Sequence, residues 1–177
     1  MNGSGINRKD NNNPKDVFAK LEYRMQPNFR MVVSGQLGKG HALAKSVYCP
    51  DIQVGEDYTR DRWSVGAEWK HHVEGVDYWK NRTAQIQTEV LGGRDGNNHS
   101  IGAYATACLP VCEVLDVIAS ADYFDYNTDL GLGQMNWVFG VQHWFYKNCR
   151  IQLQYTHANP AKSKHFGYLQ TQVQVAF

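Results

Sequence analysis

An all-β fold, built as an antiparallel up-and-down barrel portion of about nine strands, is what this sequence predicts, and three observations predict it. Apolar and polar residues alternate with period two through most of the chain. Stretches rich in Gly, Asn, Asp and Pro break that alternation at intervals suited to hairpins. No amphipathic helix of useful length interrupts the series. The clearest alternation is the last, Tyr168 to Phe177. There Leu169, Thr171, Val173, Val175 and Phe177 share one face, and Tyr168, Gln170, Gln172, Gln174 and Ala176 share the other. Chain termini usually fray, so an ordered final aromatic is expected where a last strand has to close a transmembrane barrel and leave no edge.

Composition sets the bounds. The 177 residues suffice for one domain, and a net charge of +1 gives no bulk attraction toward nucleic acid. Aromatic residues make up 12%, with 10 Tyr and 5 Trp. Mean hydropathy is −0.53, and no run approaches the ~18 apolar residues of a membrane helix. Strands of membrane barrels are only half apolar, so this does not count against them. Met1 to Asn13 is polar and rich in Asn and Gly, unlike a secretory signal peptide. The expected division is a polar loop over residues 1–15 and a barrel portion over 16–177.

The alternation begins at Asp16, with Val17, Ala19, Leu21, Tyr23 and Met25 on one face and Phe18, Lys20, Glu22 and Arg24 on the other. Pro27-Asn28 is a tight turn. Phe29, Met31 and Val33 then oppose Arg30, Val32, Ser34 and Gln36, and a long connection spans about Gly38 to Tyr58. The third strand, Thr59 to Lys70, sets Trp63, Val65, Ala67 and Trp69 against Arg62, Ser64, Gly66, Glu68 and Lys70. After a turn at His71–Asp77, Ala84, Ile86 and Val90 oppose Gln85, Gln87 and Glu89 in a strand ending near Leu91. Gly92-Gly93-Arg94-Asp95-Gly96-Asn97-Asn98 reads as a long loop. Ile101 to Leu109 forms the fifth strand, Pro110-Val111 turns the chain, and Leu115 to Tyr123 forms the sixth. A loop at Asn127–Gln134 precedes Trp137, Phe139, Val141 and Phe145. Lys147-Asn148 turns into Ile151, Leu153 and Tyr155, and the loop Ala158–Lys164 leads to the final strand. Connections thus alternate short and long, as in outer-membrane barrels with short periplasmic turns. An odd strand count, an outside start and no signal peptide together lead to the expectation that upstream strands are missing.

From Trp63 onward, RWSVGAEWK, TEVLGGRDG, GAYATACLPV, VIASADYFDYN, NWVFGVQHWFYKNCRIQLQYTHANP and GYLQTQVQVAF resemble the C-terminal half of the phosphate-selective porin O and P family. The resemblance implies part of a 16-stranded, trimeric outer-membrane barrel that passes anions passively, phosphate among them. It also implies an open half-barrel here. The ending resembles the assembly signal of bacterial outer-membrane strands, with Phe177, Val175 and Val173 as its residues. Outer-membrane lipid, the barrel assembly machinery and a homotrimer of the full-length protein are then the expected partners. No residue here matches the family's phosphate-selecting lysines and arginines, which lie largely in upstream strands and an inward-folded loop.

The polar strand face carries the channel hypothesis. If it lines water, Lys20, Arg24, Arg30, Arg62, Lys70 and Arg150 face the lumen, with Glu22, Glu68, Glu89, Asp116 and Asp122 among them. The signs nearly balance, so this face alone predicts no strong anion preference. The competing reading is a solvated face with scattered cross-strand ion pairs, each contributing about 0.2–1 kcal/mol. Aromatic residues gather toward strand ends: Tyr23, Trp69, Phe145, Tyr146 and Phe177 by the short turns, and Trp63, Tyr123, Trp137 and Tyr155 nearer the middle or the loops.

Other motifs carry less. Gly35-Gln36-Leu37-Gly38-Lys39-Gly40 lacks phosphate-loop spacing and precedes no helix. The seven histidines form no ligand spacing, so no metal, cofactor or catalytic residue is expected. Asn81-Arg82-Thr83 and Asn98-His99-Ser100 match a glycosylation pattern relevant only to eukaryotic secretion. Cys49, Cys108, Cys112 and Cys149 make no CxxC pair. A disulfide between Cys108 and Cys112 across a hairpin is one reading, and half-buried thiols are the favoured one. The leading functional reading is a porin fragment for small anionic or polar solutes. The alternatives are a complete small outer-membrane barrel that anchors or adheres, and a soluble lipocalin-like barrel with its apolar faces turned inward. A soluble enzyme ranks last, because no nucleophile–base or paired-carboxylate motif stands out.

Overall fold

The computed structural model describes residues 15–72, 83–146 and 149–175. Nine strands follow one another: β1 (Val17–Gln26), β2 (Phe29–His41), β3 (Asp57–His72), β4 (Thr83–Asp95), β5 (Asn98–Cys112), β6 (Leu115–Asp125), β7 (Gly133–Tyr146), β8 (Cys149–Pro160) and β9 (Phe166–Gln174). They form one sheet in chain order, every neighbour antiparallel. The sheet is open: β1 is laddered only to β2, and β9 only to β8. Both edge strands are exposed along their whole described length.

Register keeps like faces together, because a slip of one residue would reverse every side chain. Arg30 pairs with Glu68, Glu68 with Gln87, Gln87 with Thr106, and Thr106 with Ser120. Beside that row, Met31 pairs with Ala67, Ala67 with Thr88, Thr88 with Ala105, and Ala105 with Ala121. The result is one polar and one apolar face across all nine strands.

The apolar face is the exposed one. Trp63, Val65, Ile151, Leu153, Val173 and Val175 each keep about 40–60% of their surface accessible. Opposite them, Arg62, Gln87, Glu89 and Gln152 are half-buried and Glu68 is buried. The polar face is therefore the more enclosed, as befits the concave side of a curved sheet. Among the described residues the buried apolar side chains are only Ala42, Ile52, Ala84, Cys149 and Ala158. Among the described residues the large apolar side chains form no core.

Three local expectations need correction. Gly92–Asn98 is not a long loop: β4 runs on to Asp95, β5 starts at Asn98, and Gly96-Asn97 alone turns the chain. Gly92 and Gly93 stay in the ladder because the Trp63 ring and the Arg62 side chain lie across them. Pro110-Val111 is not a turn either. Pro110 sits in β5 opposite Asp116, beside a register shift that absorbs its missing N–H, and Glu113-Val114 makes the turn. The third correction is that Gly38–Gly40 belong to β2 rather than to the following connection. A Cβ at Gly38 would strike the Asp16 carboxylate, and one at Gly40 the Tyr58 ring.

All four cysteines are thiols rather than disulfides. Cys108 and Cys112 lie on the same strand, about 13 Å apart at strand rise, too far to bridge. The final residue Phe177, the Lys147-Asn148 turn, most of the His71–Asp77 turn, Asn81 and Arg82 of the first glycosylation pattern, and nearly all of the 1–15 segment lie outside the described residues.

Gly96 holds φ +61 in its two-residue turn, with Ile52 packed over it. Gly96→Val should cost about 1–3 kcal/mol and Gly96→Asn clearly less, since Asn tolerates this left-handed region. Urea unfolding measures both. Equal stability of the two variants would rule out the tight turn.

Candidate functional site

The polar face is organised by ion pairs and amides, and it divides into three regions. By the 27–28 turn, Glu68 is the hub. Arg30 reaches its carboxylate through Nε, Lys70 lies 3.1 Å away, and Gln85 and Gln87 donate at 2.7 and 2.8 Å. Arg30 also approaches Glu22 at 3.7 Å, and Arg24 binds Glu22 at 2.9 Å. Register makes this cluster: Arg24, Arg30, Glu68 and Gln87 stand in one row across four strands.

At the other end of β3, Arg62 donates two hydrogen bonds to Asp95, at 2.8 and 2.7 Å. Arg60 lies 3.6 Å from the same carboxylate and donates to the Tyr58 hydroxyl at 2.6 Å. On the apolar face at this level, Arg94 pairs with Asp61 at 2.7 Å, next along both strands from the Gly92–Trp63 contact. That pair marks where the apolar surface ends.

The β6–β9 side is amide-rich, its charged groups held by amides. Asp116 is buried, held by the Gln142 amide and by the Trp144 indole N–H at 2.7 Å. Gln142 in turn accepts from Arg150 at 2.7 Å, and Arg150 also donates to Gln174 and lies 5.5 Å from the Trp144 ring centre. Gln152 donates to Gln154, and Gln154 to Gln170. Higher up, Asn136 binds Asp122 at 2.7 Å.

Of the six cations expected on this face, Arg24, Arg30, Arg62 and Lys70 are each matched to a carboxylate. Arg150 is held by amides and an aromatic ring. Lys20 has no ion-pair partner among the described residues, and it stands exposed on β1 opposite Ser34. Val173 lies on the apolar face of β9, and Val175 just beyond that strand. Among the described residues no group of three or more His, Cys, Asp or Glu could hold a metal ion.

The residues 42–56 form the feature that periodicity did not reveal. They fold against the polar face, not away from it. Backbone bonds from Ala42 to Glu56 and from Gly55 to Ala42 close the base, with Gly55 at φ +86. The far side is tied by Asn127, 1% exposed, whose amide donates to the Tyr48 carbonyl at 2.8 Å and to Asn98 at 2.9 Å. Asn127 Oδ1 accepts from the Asp129 and Leu130 backbones, and Asp125 accepts from Asn127 and Leu132. Burial, with the Asp95 charge nearby, raises the Cys49 thiol above its ordinary pKa, so it stays protonated at neutral pH.

Two outcomes test this organisation. Glu68→Gln should cost about 1–3 kcal/mol, toward the lower end because Arg30 and Lys70 both reach water. Thermal unfolding combined with an Arg30→Gln double-mutant cycle reads the coupling, and a coupling of zero would dissolve the hub. Asn127→Ala should leave the sheet intact but free the 42–56 segment, accelerating protease cleavage within it. Unchanged cleavage would show that the tie does not hold that segment.

Compared with known proteins, the chain matches no family model, no curated protein and no solved structure.

Proposed function

We propose that this protein is a portion of an outer-membrane porin, with its polar face lining a water-filled passage for small polar or anionic solutes. One observation carries the reading: a continuous apolar face, exposed over nine strands, in a chain whose buried apolar side chains are few and mostly small. Soluble proteins rarely expose contiguous apolar patches beyond a few hundred Å². Lipid hydrocarbon supplies what that face lacks, and water supplies what the amides and ion pairs of the other face need.

Further features support it. The strands run 9–16 residues, enough to cross hydrocarbon at a tilt. Exposed aromatics mark both ends of the apolar face: Tyr23, Phe145 and Tyr146 by the short turns, Trp63, Tyr123, Trp137 and Tyr155 toward the other end. The resemblance of the Trp63–Phe177 segments to the phosphate-selective porin family points the same way, and with it come the trimer, the assembly machinery and the outer-membrane location. The ladder edges of β1 and β9 are then completed by further strands, since an open edge is not viable in hydrocarbon. Four of the six expected cations are neutralised, so the passage favours small polar solutes over strong anion selectivity.

A pair of adjacent substitutions on β8 tests the reading. Leu153→Arg, on the apolar face, should cost about 2–4 kcal/mol of membrane stability, and Gln152→Arg, on the polar face, should cost far less. Urea unfolding from lipid vesicles measures each. A lipocalin-like barrel with inward apolar faces gives the same order but folds without lipid, so cooperative folding in plain buffer would overturn the porin reading.

A further inference from the structure

The 42–56 segment encloses a cavity of about 360 Å³ against the polar face. This is within the range of small-molecule sites. Its walls divide by chemistry. One wall is aromatic: Tyr48 and Tyr126 stack with centroids 4.6 Å apart, and Phe124 meets Tyr126 edge-on at 4.7 Å. Another is the Arg62–Asp95 pair, with Ser100 alongside.

We propose that this cavity is a binding site for a neutral carbohydrate of one or two sugar rings. Charge is the first argument. Arg62 already holds the Asp95 carboxylate in a two-pronged pair, so a free anion would have to displace it. The pair as a whole is neutral; Arg62 Nη1 is already committed to the Asp61 and Arg94 carbonyls, and the outer lone pairs of Asp95 remain to accept from hydroxyls. The aromatic wall is the second. Tyr48 and Tyr126 are 42% and 46% exposed, on the side of the sheet that faces away from the apolar surface. The lipid reading that explains exposed aromatics elsewhere gives these none. A sugar ring presents a C–H face to an aromatic ring and hydroxyls around its edge, which matches both walls at once. A purely apolar ligand would leave the ion pair desolvated and unsatisfied. Preorganisation is the third argument. Asn127 fixes Tyr48 through its carbonyl and adjoins Tyr126 in the chain, so the ordering cost of the aromatic wall is met in folding rather than in binding.

The cavity depends on the segment and the strands beneath it, not on whether the sheet belongs to a pore, so the test reads binding and not transport. The full chain, folded in a detergent without a sugar headgroup, is titrated calorimetrically with glucose, galactose, maltose and sucrose, and separately with inorganic phosphate. At least one sugar should bind at millimolar concentration, and phosphate should not bind at the cavity. Tyr126→Ala and Ser100→Phe should each weaken that sugar about tenfold with the far-ultraviolet circular dichroism unchanged. Binding of none of the sugars overturns the proposal, as does phosphate binding that Ser100→Phe abolishes. Sugar binding indifferent to both substitutions overturns it too. None of these outcomes alters the Leu153 and Gln152 contrast on which the porin reading stands.

Discussion

An apolar face that none of the described residues covers is the constraint on which the rest of the structure depends. In an ordinary β-sandwich or lipocalin, Val, Leu and Trp residues at alternate positions meet each other across a dry interior. Here the same positions point outward, and among the described residues the largest fully buried side chain is an asparagine, Asn127. Among the described residues, contacts within the chain are therefore mainly ladder hydrogen bonds and polar pairs. That inversion accounts for the strand-by-strand alternation, for the polar character of the enclosed face, and for the placement of Arg94–Asp61 where the apolar surface gives way to polar residues.

The enclosed face solves a different problem. Long charged side chains crowd on the concave side of a sheet, and like charges in adjacent rows repel. The register separates most of them, and where Arg24 stands opposite Arg30 the Glu22 carboxylate lies against both. Glu68 stands between Arg30 on one strand and glutamines on the next, and Asp95 serves both Arg60 and Arg62. Toward β9 charge gives way to glutamine, which carries both donor and acceptor and so satisfies its neighbours without a counter-ion. The two halves of the face thus differ in chemistry: ion pairs on one side, amides bonded to Asp116, Asp122 and Arg150 on the other.

Much of this was legible in the sequence. Period-two alternation fixed the strand number, their order and which residues share a face, because β geometry leaves side chains only two directions. Less was legible where a residue type has two uses. The glycines of Gly92-Gly93 resembled loop residues, but they serve as flat ground beneath Trp63 and Arg62, and only the opposite strand shows that. Pro110 resembled a turn residue, but it sits within β5 beside a register shift. The 42–56 segment carried no periodicity at all. Its position depends on Asn127, which lies 79 residues from its partner Tyr48, and no local pattern encodes a contact at that separation.

That long-range tie has a consequence for how rigidity is distributed. β1 and β9 offer bare ladder edges and exposed side chains, so they are the least constrained strands of the sheet. The loop end over β2–β7 is the opposite case. Here Asn127 joins one connection to another, Thr128 bonds the His99 carbonyl, and Ile52 covers the Gly96 turn. An open sheet keeps its curvature only if something beyond the ladders holds at least one end fixed. The tied connections supply that fixed end, and they do so on the polar side, where their own backbone groups can be satisfied.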